Sequence, residues 1–379
     1  MSAGSHLSVS HLLTAKRVVV KIGSALLVDD ATGELHRAWL EALADDINVC
    51  IKRGQEVVIV TSGAIAIGRG PLGMRGRKLR LEEKQAAAAT GQMRLTQAYQ
   101  NALERHGITV AQVLVTIDDT ENRRRFLNAR STLDTLLKLK AVPVINENDT
   151  VATAEIRFGD NDRLAARVAQ MIGADALILL SDIDGLYTGD PRNKPDAAHI
   201  PEVRDITPEV EAMAGVAQTG YGSGGMVTKI MAAKICMSAG CRMAIAPGKP
   251  MHALQALEKG GRSTWFIPKA EPRAAYKQWI AGAVQTSGVL VVDDGAVKAL
   301  RDGKSLLPAG VVAVDGTFER GDAVAVKATD GRVLAKGLSA YSAEDVARIK
   351  GHKSAEIEAL LGYQGRSEVI HRDDLVVEG

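Results

Sequence analysis

Residues Arg17–Ser24 read R-V-V-V-K-I-G-S, and this stretch decides how the rest of the chain is interpreted. Its β-branched residues Val18–Val20 and Ile22 form the pattern of a strand buried on both faces of a sheet. Lys21 interrupts that pattern, and burial of its ammonium group is costly unless the side chain emerges at the end of the strand. Because ligands bind at the carboxyl ends of strands in an open α/β sheet, a cation there indicates an anionic ligand such as a phosphate chain. The alternative is an edge-strand lysine that reaches solvent.

The bulk composition is that of a globular protein with two domains. The chain has 379 residues, of which 46% are hydrophobic and 24% charged, and this length exceeds one ordinary domain. A net charge of +2 gives no electrostatic case for binding nucleic acid or a membrane surface. Three cysteines are too few for a disulfide framework or a zinc cage. We therefore expect a cytoplasmic protein without a membrane span and without a dedicated metal site.

Apolar runs alternate with helical stretches along the first two thirds of the chain. After Val18–Ile22, the predicted strands are Glu56–Val60, Val110–Val115, Val142–Ile145, Ala176–Leu180 and Met243–Ala246. The predicted helices between them are Glu34–Arg53, Glu82–His106, Asp119–Lys138, Asp162–Ile172 and Thr228–Ala239. Such alternation predicts an α/β fold, an open and mostly parallel sheet sandwiched by helices.

The pattern changes near residue 270. Short strands separated by turns follow, among them Val289–Val292, Val311–Val314 and Ala323–Lys327, and they predict a small, mostly β domain. We expect a flexible N-terminal arm over residues 1–16, an α/β domain over 17–270, a linker over 271–286 and the mostly β domain over 287–379.

Polar motifs directly follow the predicted strands Glu56–Val60 and Val142–Ile145. T-S-G-A-I-A (Thr61–Ala66) follows Glu56–Val60, and its small residues allow close approach of a ligand to the backbone. N-E-N-D (Asn146–Asp149) follows Val142–Ile145, and its side chains suit binding of an amine and a carboxyl group. Taken singly, Ser62 is also consistent with a simple helix cap, and a turn is the more usual explanation of N-E-N-D.

Three further motifs fall near helix starts or strand ends. G-D-N-D (Gly159–Asp162) opens a helix, where an aspartate also serves as a cap. S-D-I-D-G-L-Y-T-G-D-P-R (Ser181–Arg192) follows a strand, and G-Y-G-S-G-G-M-V-T-K (Gly220–Lys229) leads into a helix. Such a glycine-rich loop presents backbone N–H groups to phosphates. Neither Gly68–Gly73 nor Gly220–Gly225 directly follows a predicted strand, so a dinucleotide-binding fingerprint is not supported.

In this order the motifs resemble the amino acid kinase family. The resemblance rests on V-V-V-K-I-G-S, I-V-T-S-G-A-I-A, F-L-N-A-R (Phe126–Arg130), P-V-I-N-E-N-D, V-A-T-A-E-I-R-F-G-D-N-D, D-G-L-Y-T-G-D-P-R and G-S-G-G-M-V-T-K. It covers residues 17 to about 375. The tail, with S-L-L-P-A-G (Ser305–Gly310), F-E-R-G-D (Phe318–Asp322) and H-R-D-D (His371–Asp374), resembles a PUA domain.

The resemblance implies a role for each motif residue. Lys21 and Lys229 would flank the transferring phosphoryl group, with Asp162 holding both lysines. The implied glutamate-binding residues are Ser62, Gly63, Ala64, Asn146, Asp149, Asp160 and Asn161. The implied ATP-binding residues are Lys21, Ser181, Asp182, Ser223, Gly224, Gly225, Met226, Val227, Thr228 and Lys229.

By the same resemblance, the expected reaction transfers a phosphoryl group from ATP to the γ-carboxylate of L-glutamate. The product, L-glutamyl 5-phosphate, begins L-proline biosynthesis, and proline is the expected feedback inhibitor. Mg2+ is the expected cofactor beside ATP, and the chain is expected to form a dimer or tetramer. Because an acyl phosphate is labile, direct transfer of the product to glutamyl phosphate reductase is also expected. Rival acceptors are carbamate, acetylglutamate, aspartate and a nucleoside monophosphate.

A different class of function is RNA binding through the PUA-like tail. Residues 287–379 carry 12 Lys and Arg against 15 Asp and Glu, a net charge of −3, whereas RNA-binding surfaces are basic. The tail also has only three aromatic residues, Phe318, Tyr341 and Tyr363, which is a poor platform for stacking bases. The charge count therefore argues against RNA as a partner.

Overall fold

The computed structural model describes residues 11–29, 32–151, 161–215, 225–283 and 286–377. By the packing of its Cα atoms the chain divides into two compact units, which we describe separately. The first unit comprises Met1–Glu121 and Ala129–Pro272, and the second comprises Asn122–Asn128 and Arg273–Gly379. The domain boundaries given above remain a prediction.

The first unit contains an eight-stranded sheet. Its strands in chain order are β1 (Arg17–Ile22), β2 (Glu56–Val60), β3 (Val110–Val115), β4 (Val142–Glu147), β5 (Ala176–Ser181), β8 (Glu202–Val203), β9 (Arg242–Pro247) and β10 (Thr264–Phe266). A separate pair joins β6 (Leu186–Tyr187) to β7 (His199–Ile200). The order across the large sheet is β3-β4-β2-β1-β5-β9-β10-β8. Every pair from β3 to β9 is parallel, as the alternation of strands and helices predicts.

Strand β1 lies inside the sheet, between β2 and β5. In register, Lys21 stands beside Val60 on one neighbour and Leu179 on the other. This position excludes the alternative of a lysine on an edge strand. Lys21 is the second-last residue of β1, so its side chain starts at the carboxyl edge of the sheet, where the sequence places a ligand.

Helices of the first unit connect these strands. They are α1 (His11–Thr14), α2 (Ser24–Leu27), α3 (Arg37–Lys52), α4 (Ala64–Arg69), α5 (Leu81–Glu104), α6 (Ile117–Glu121), α7 (Arg123–Lys138), α8 (Asn161–Ile172), α9 (Pro208–Met213), α10 (Met226–Ser238) and α11 (Ala253–Glu258). The first residues of α7 belong to the second unit. One core cluster joins the inner faces of β1, β2, β4 and β5 to apolar residues of α3 and α5.

Helices α4 and α5 cross at an unusually short distance, and two glycines make this possible. A Cβ atom at Gly68 would lie 1.8 Å from the carbonyl oxygen of Ala87, and one at Gly91 would lie 1.8 Å from that of Ala64. Gly68 therefore has a packing role between two helices, which accounts for a glycine at this position without a dinucleotide site.

Two predicted helices differ in the structure. The helix expected from Glu34 begins at Arg37, because Leu35 instead forms a bridge with Val28. The stretch expected to be one helix over Asp119–Lys138 is two, α6 and α7. The Asn122 side chain accepts a hydrogen bond from the Arg125 backbone N–H at 3.2 Å, and such local caps favour a new helix start.

The second unit has a five-stranded sheet in the order β12-β11-β13-β14-β15. Its strands are β11 (Gly288–Val292), β12 (Val311–Gly316), β13 (Ala323–Ala328), β14 (Val333–Leu338) and β15 (Leu375–Val377), and its helices are α12 (Pro272–Ala283), α13 (Asp294–Arg301), α14 (Ala343–Ile349) and α15 (Ile357–Leu361). Buried residues of this sheet and of α13–α15 form a core of their own. A small, mostly β C-terminal fold is confirmed.

Candidate functional site

Three charged residues from three different elements meet at the carboxyl edge of the large sheet. Lys21 comes from the end of β1, Asp162 from the first turn of α8 and Lys229 from the first turn of α10. The Lys21 Nζ atom lies 2.6 Å from Oδ1 of Asp162, and the Lys229 Nζ atom lies 3.1 Å from Oδ2. The Thr228 hydroxyl donates to the same Oδ2 at 3.1 Å. Both ammonium groups therefore contact one carboxylate.

All three charged groups of this cluster are buried. The exposed fraction is 8% for Lys21, 5% for Lys229 and 2% for Asp162. Burial alone would raise the pKa of Asp162, but the charges of Lys21 and Lys229 and their hydrogen bonds outweigh burial and lower that pKa well below its usual range. Asp162 is thus an ionised counter-ion that neutralises one of two positive charges.

A network of uncharged polar side chains adjoins Asp162 along the chain. The Asn161 Nδ2 atom lies 2.8 Å from the Thr61 carbonyl oxygen, 2.6 Å from Ser62 Oγ and 3.2 Å from Asn146 Oδ1. These contacts bring T-S-G-A-I-A, N-E-N-D and G-D-N-D together, although they are far apart in sequence. The Asn161 Oδ1 atom is buried and has no hydrogen-bond partner among the described residues, which leaves an acceptor for a donor group of a ligand.

Two residues outside the motifs support this network, and they are not among the site residues predicted from the sequence. Gln92 of α5 accepts a hydrogen bond from Asn146 Nδ2 at 2.8 Å, and the Tyr99 hydroxyl lies 2.8 Å from Thr61 Oγ1. Both side chains are buried. The sequence contains one indication of this role. Gln92, Leu95 and Tyr99 recur at helical spacing and so share one face of a helix, and a polar side chain such as that of Gln92 on a buried face needs a hydrogen-bond partner.

The turn after β2 requires glycine. Gly63 has a φ of 103°, in the left-handed region, and Ala64 begins α4 directly after it. A Cβ atom at Gly63 would lie 3.2 Å from Val28 Cγ2. The backbone N–H groups of Gly63 and Ala64 therefore lie at the start of a helix, next to Ser62, where the dipole favours an anionic group. Helix α4 is too short for this geometry to define a ligand by itself.

Two carboxylates stand at the end of β4. Burial, and secondarily the nearby charge of Glu147, raise the pKa of Asp149 to about 7. A positively charged ligand group would remove this repulsion and favour the ionised form of Asp149. The pair is thus suited to an ammonium group.

Residues predicted to contact the nucleotide lie on β5 and α10. The Ser181 hydroxyl donates to Asp182 Oδ1 at 3.0 Å, and Ser181 follows Leu180, which pairs in register with Ile22 of β1. Gly225 is the N-cap of α10, and Met226 and Val227 form its first turn with Thr228 and Lys229.

Some predicted positions lie outside the described residues. They are Asp160, Ser223 and Gly224, together with most of V-A-T-A-E-I-R-F-G-D and of the loop before α10. Within the ranges given above, no three His, Cys, Asp or Glu residues group in a way that could hold a metal ion. Across those same ranges, none of the helices combines the length and apolarity that a membrane crossing needs.

Comparison with protein families gives two matches. The model of the amino acid kinase family matches residues 16–247, and that of the PUA domain matches residues 288–361.

Two curated relatives match nearly the whole chain. A protein named glutamate 5-kinase from Paramagnetospirillum magneticum is 67% identical over 370 residues, which is 98% of this chain and 100% of the relative. A protein of the same name from Rhodospirillum rubrum is 61% identical over 360 residues, which is 95% of this chain and 96% of the relative.

Solved structures with a similar backbone are more distant. Carbamate kinase from Giardia lamblia bound to AMP-PNP is 19% identical, with a TM-score of 0.48 over 68% of this chain and 100% of that one. UMP kinase from Ureaplasma parvum is 16% identical, with a TM-score of 0.48 over 66% of this chain and 98% of that one.

Proposed function

Because the chain belongs to the amino acid kinase family and is a phosphotransferase, we propose that it transfers the γ-phosphoryl group of ATP to the γ-carboxylate of L-glutamate. The products would be L-glutamyl 5-phosphate and ADP. The names of two relatives that match almost the entire chain support this choice of acceptor.

The observation that carries the proposal is the contact of Lys21 and Lys229 with the single carboxylate of Asp162. Asp162 neutralises one ammonium charge, so the cluster keeps a net positive charge at the carboxyl edge of the sheet. A terminal phosphate bound there would contact the ammonium groups of Lys21 and Lys229, which are far apart in the sequence. We propose that these two lysines stabilise the charge on the transferring group and that Asp162 positions them.

The expected chemistry fits this set of side chains. The γ-carboxyl group of glutamate has a pKa of about 4.3, so it is ionised at neutral pH and needs no general base. The obstacle is repulsion between that carboxylate and the triphosphate. A lysine about 4 Å from a unit negative charge contributes roughly 4 kcal/mol at an effective dielectric of 20. Positioning and cations are the main means of catalysing phosphoryl transfer.

For glutamate we propose two recognition groups. Asn161, Ser62 and the backbone N–H groups of Gly63 and Ala64 would bind carboxylate oxygens. Asn146, Asp149 and Asp160 complete the proposed set, with the ionised form of Asp149 receiving the ammonium group. Burial, and secondarily the charge of Glu147, raise the pKa of Asp149 to about 7, and a bound ammonium group would stabilise the ionised carboxylate against both effects.

For ATP we propose Lys21, Ser181, Asp182 and the loop Ser223–Lys229. Backbone N–H groups at the start of α10 suit phosphate oxygens. Mg2+ prefers oxygen ligands and several waters, whereas the described side chains around Asp162 are mainly ammonium and hydroxyl groups. Mg2+ would therefore arrive on the phosphate oxygens of ATP and supply charge neutralisation there.

The biological setting is part of the proposal. Glutamyl 5-phosphate formation would be the first step of L-proline biosynthesis in the cytoplasm, with proline as feedback inhibitor. We also propose a homo-oligomer, a dimer or tetramer, and transfer of the labile product to glutamyl phosphate reductase.

An ADP-release assay with a panel of acceptors tests the function. We expect ADP release that depends on L-glutamate, with little release on aspartate, N-acetylglutamate, carbamate or UMP. We also expect lower rates when proline is added. A faster reaction with another acceptor would overturn the choice of substrate, and a rate indifferent to proline would remove only the feedback proposal.

A further inference from the structure

The second unit contains a cavity of about 600 Å3 that the proposed reaction does not use. Its lining includes Arg320, Arg366, Tyr341, Tyr363 and Gln364, together with Arg124 from the segment 122–128 that belongs to this unit. Small-molecule sites in proteins have volumes of ~300–1,000 Å3, so the cavity is large enough for an organic ligand and larger than a single inorganic ion needs.

Three guanidinium groups line this cavity. Burial, followed by the positive charge of Arg366, lowers the pKa of Arg320, and the charge of Arg124 acts in the same direction. Among the described residues, no carboxylate lies within ion-pair distance of Arg320 or Arg124. The Arg366 guanidinium lies 3.9 Å from the Asp374 carboxylate. The like charges of Arg320 and Arg124, which have no carboxylate partner among the described residues, favour binding of an anion.

The acidic residues of the lining offset this charge only in part. Asp345 already accepts a hydrogen bond from the Tyr363 hydroxyl at 3.0 Å, and Glu319 is exposed. The three arginines therefore outnumber the two carboxylates, and one of these carboxylates is engaged with a phenol.

The wall beside Arg366 is fixed by close packing. The Tyr341 hydroxyl donates a hydrogen bond to the Arg366 carbonyl oxygen. A Cβ atom at Gly365 would lie 2.2 Å from that same hydroxyl, so only glycine allows the loop to approach Tyr341. A loop held in this way keeps the Arg366 backbone in place before any ligand binds.

From this geometry we propose that the cavity binds a small organic phosphate. Guanidinium groups match the oxygens of a phosphate through paired hydrogen bonds, and a phosphate carries enough charge to interact with more than one of them. Tyr363 and Gln364 at the rim would contact the organic part. The cavity is concave, and residues 122–128 and 273–379 of this unit carry 17 Lys and Arg against 15 Asp and Glu, a net charge of only +2, which distinguishes it from an extended basic surface for RNA. This inference is independent of the acceptor that the first unit phosphorylates.

Calorimetric titration of the full-length chain with ribose 5-phosphate and with inorganic phosphate tests the proposal. We expect saturable binding of ribose 5-phosphate, weaker binding of inorganic phosphate, and at least a tenfold loss of ribose 5-phosphate affinity in R320A. R332A is the matched control, because Arg332 is an exposed arginine of the same unit that pairs with Asp330 at 2.7 Å, and we expect its affinity to be unchanged.

A second variant keeps the test valid if R320A does not fold. Gln364 is exposed at the rim, so Q364E adds a negative charge without disturbing packing, and we expect about a tenfold loss of affinity. Three results would overturn the proposal. They are no binding of either phosphate by the wild-type chain, wild-type affinity in both R320A and Q364E, and binding of a short single-stranded RNA in place of ribose 5-phosphate.

Discussion

Lys21 and Lys229 lie 208 positions apart in the sequence numbering yet contact the two oxygens of one carboxylate, that of Asp162, at 2.6 and 3.1 Å. The three groups are buried, so the attraction between them is weakly screened. Removal of the carboxylate would leave two uncompensated positive charges at the edge of the sheet. The integrity of the site therefore depends on Asp162.

We expect Asp162→Asn to cost about 3–5 kcal/mol of unfolding free energy, because it breaks a buried charge cluster by removing one partner. Turnover should fall at least about 100-fold, since both lysines lose their fixed position. Urea denaturation and steady-state kinetics measure the two effects. Asp134→Asn is the matched control, because Asp134 pairs with Arg17 at 2.9 Å near the surface and should cost no more than about 1 kcal/mol. Equal losses in the two variants would contradict a special role for Asp162.

The cost of Asp162→Asn should depend on pH in a defined direction. The folded state holds the pKa of Asp162 below its unfolded value of ~3.9. Its contribution to stability is therefore fully present above that unfolded value and is lost as the pH falls below it. Denaturation at pH 7 and near pH 3 should show a large difference between wild type and variant at pH 7 and a smaller one at pH 3. A difference that grows on acidification would show that Asp162 is not an ionised counter-ion.

Binding of glutamate should improve as Asp149 ionises. Its pKa is raised to about 7 by burial and by Glu147, and only the ionised form attracts the substrate's ammonium group. We expect kcat/KM for glutamate to rise as the pH passes through about 7 and this step to disappear in Asp149→Asn. The Michaelis constant for ATP serves as the internal control and should change little. A variant that keeps the wild-type pH profile would place Asp149 outside the glutamate site.

Gly63→Ala separates backbone strain from substrate binding. Gly63 and Gly54 both have a positive φ, at 103° and 90°, so alanine at either should cost on the order of 1 kcal/mol. Only Gly63 adjoins the proposed glutamate site, and a Cβ atom there would also press on Val28. We therefore expect the Michaelis constant for glutamate to rise in Gly63→Ala and to stay unchanged in Gly54→Ala. If Gly54→Ala raised it equally, the effect would have to come from stability alone.

Gly91→Ala tests the close crossing of α4 and α5. Helix propensity alone would make alanine more favourable than glycine by about 1 kcal/mol. The added Cβ atom, however, would lie 1.8 Å from the carbonyl oxygen of Ala64, so the helices must separate, and we expect a loss of at least about 2 kcal/mol. Thermal denaturation measures this, and Thr90→Ala, one residue away, should change stability by less than about 0.5 kcal/mol. A stabilised Gly91→Ala protein would contradict the packing described.

The sequence predicted the main strands and the position of Lys21 because burial of β-branched residues and the cost of a buried charge are local rules. It predicted the start of α3 incorrectly, since Leu35 satisfies its apolar character through a bridge to Val28. The break at Asn122 also escaped prediction, because an Asn cap within a polar segment looks like ordinary helix surface.

Features that depend on three-dimensional proximity could not be predicted from the sequence. Gln92 and Tyr99 support the motif residues from another helix, and no spacing rule connects them to Asn146 or Thr61. The arginine-lined cavity was hidden by the net negative charge of residues 287–379, because a total charge says nothing about how Arg320 and Arg366 converge. The roles of Lys21, Lys229 and the residues around them are carried by resemblance and remain predictions until tested.

Single-turnover phosphoryl transfer from ATP to glutamate tests the central claim most directly. The variants are Lys21→Met, Lys229→Met and the double variant. The matched control is Lys234→Met, because Lys234 is an exposed lysine of the same helix α10 and pairs with Glu211 at 2.7 Å.

If both lysines act on one phosphoryl group, each single variant should lose at least about 100-fold, and the double variant should lose little more than either, because residues that act as a unit are not additive. Lys234→Met should retain the wild-type rate. Near-wild-type rates in either single variant, or losses that multiply fully in the double variant, would contradict the account.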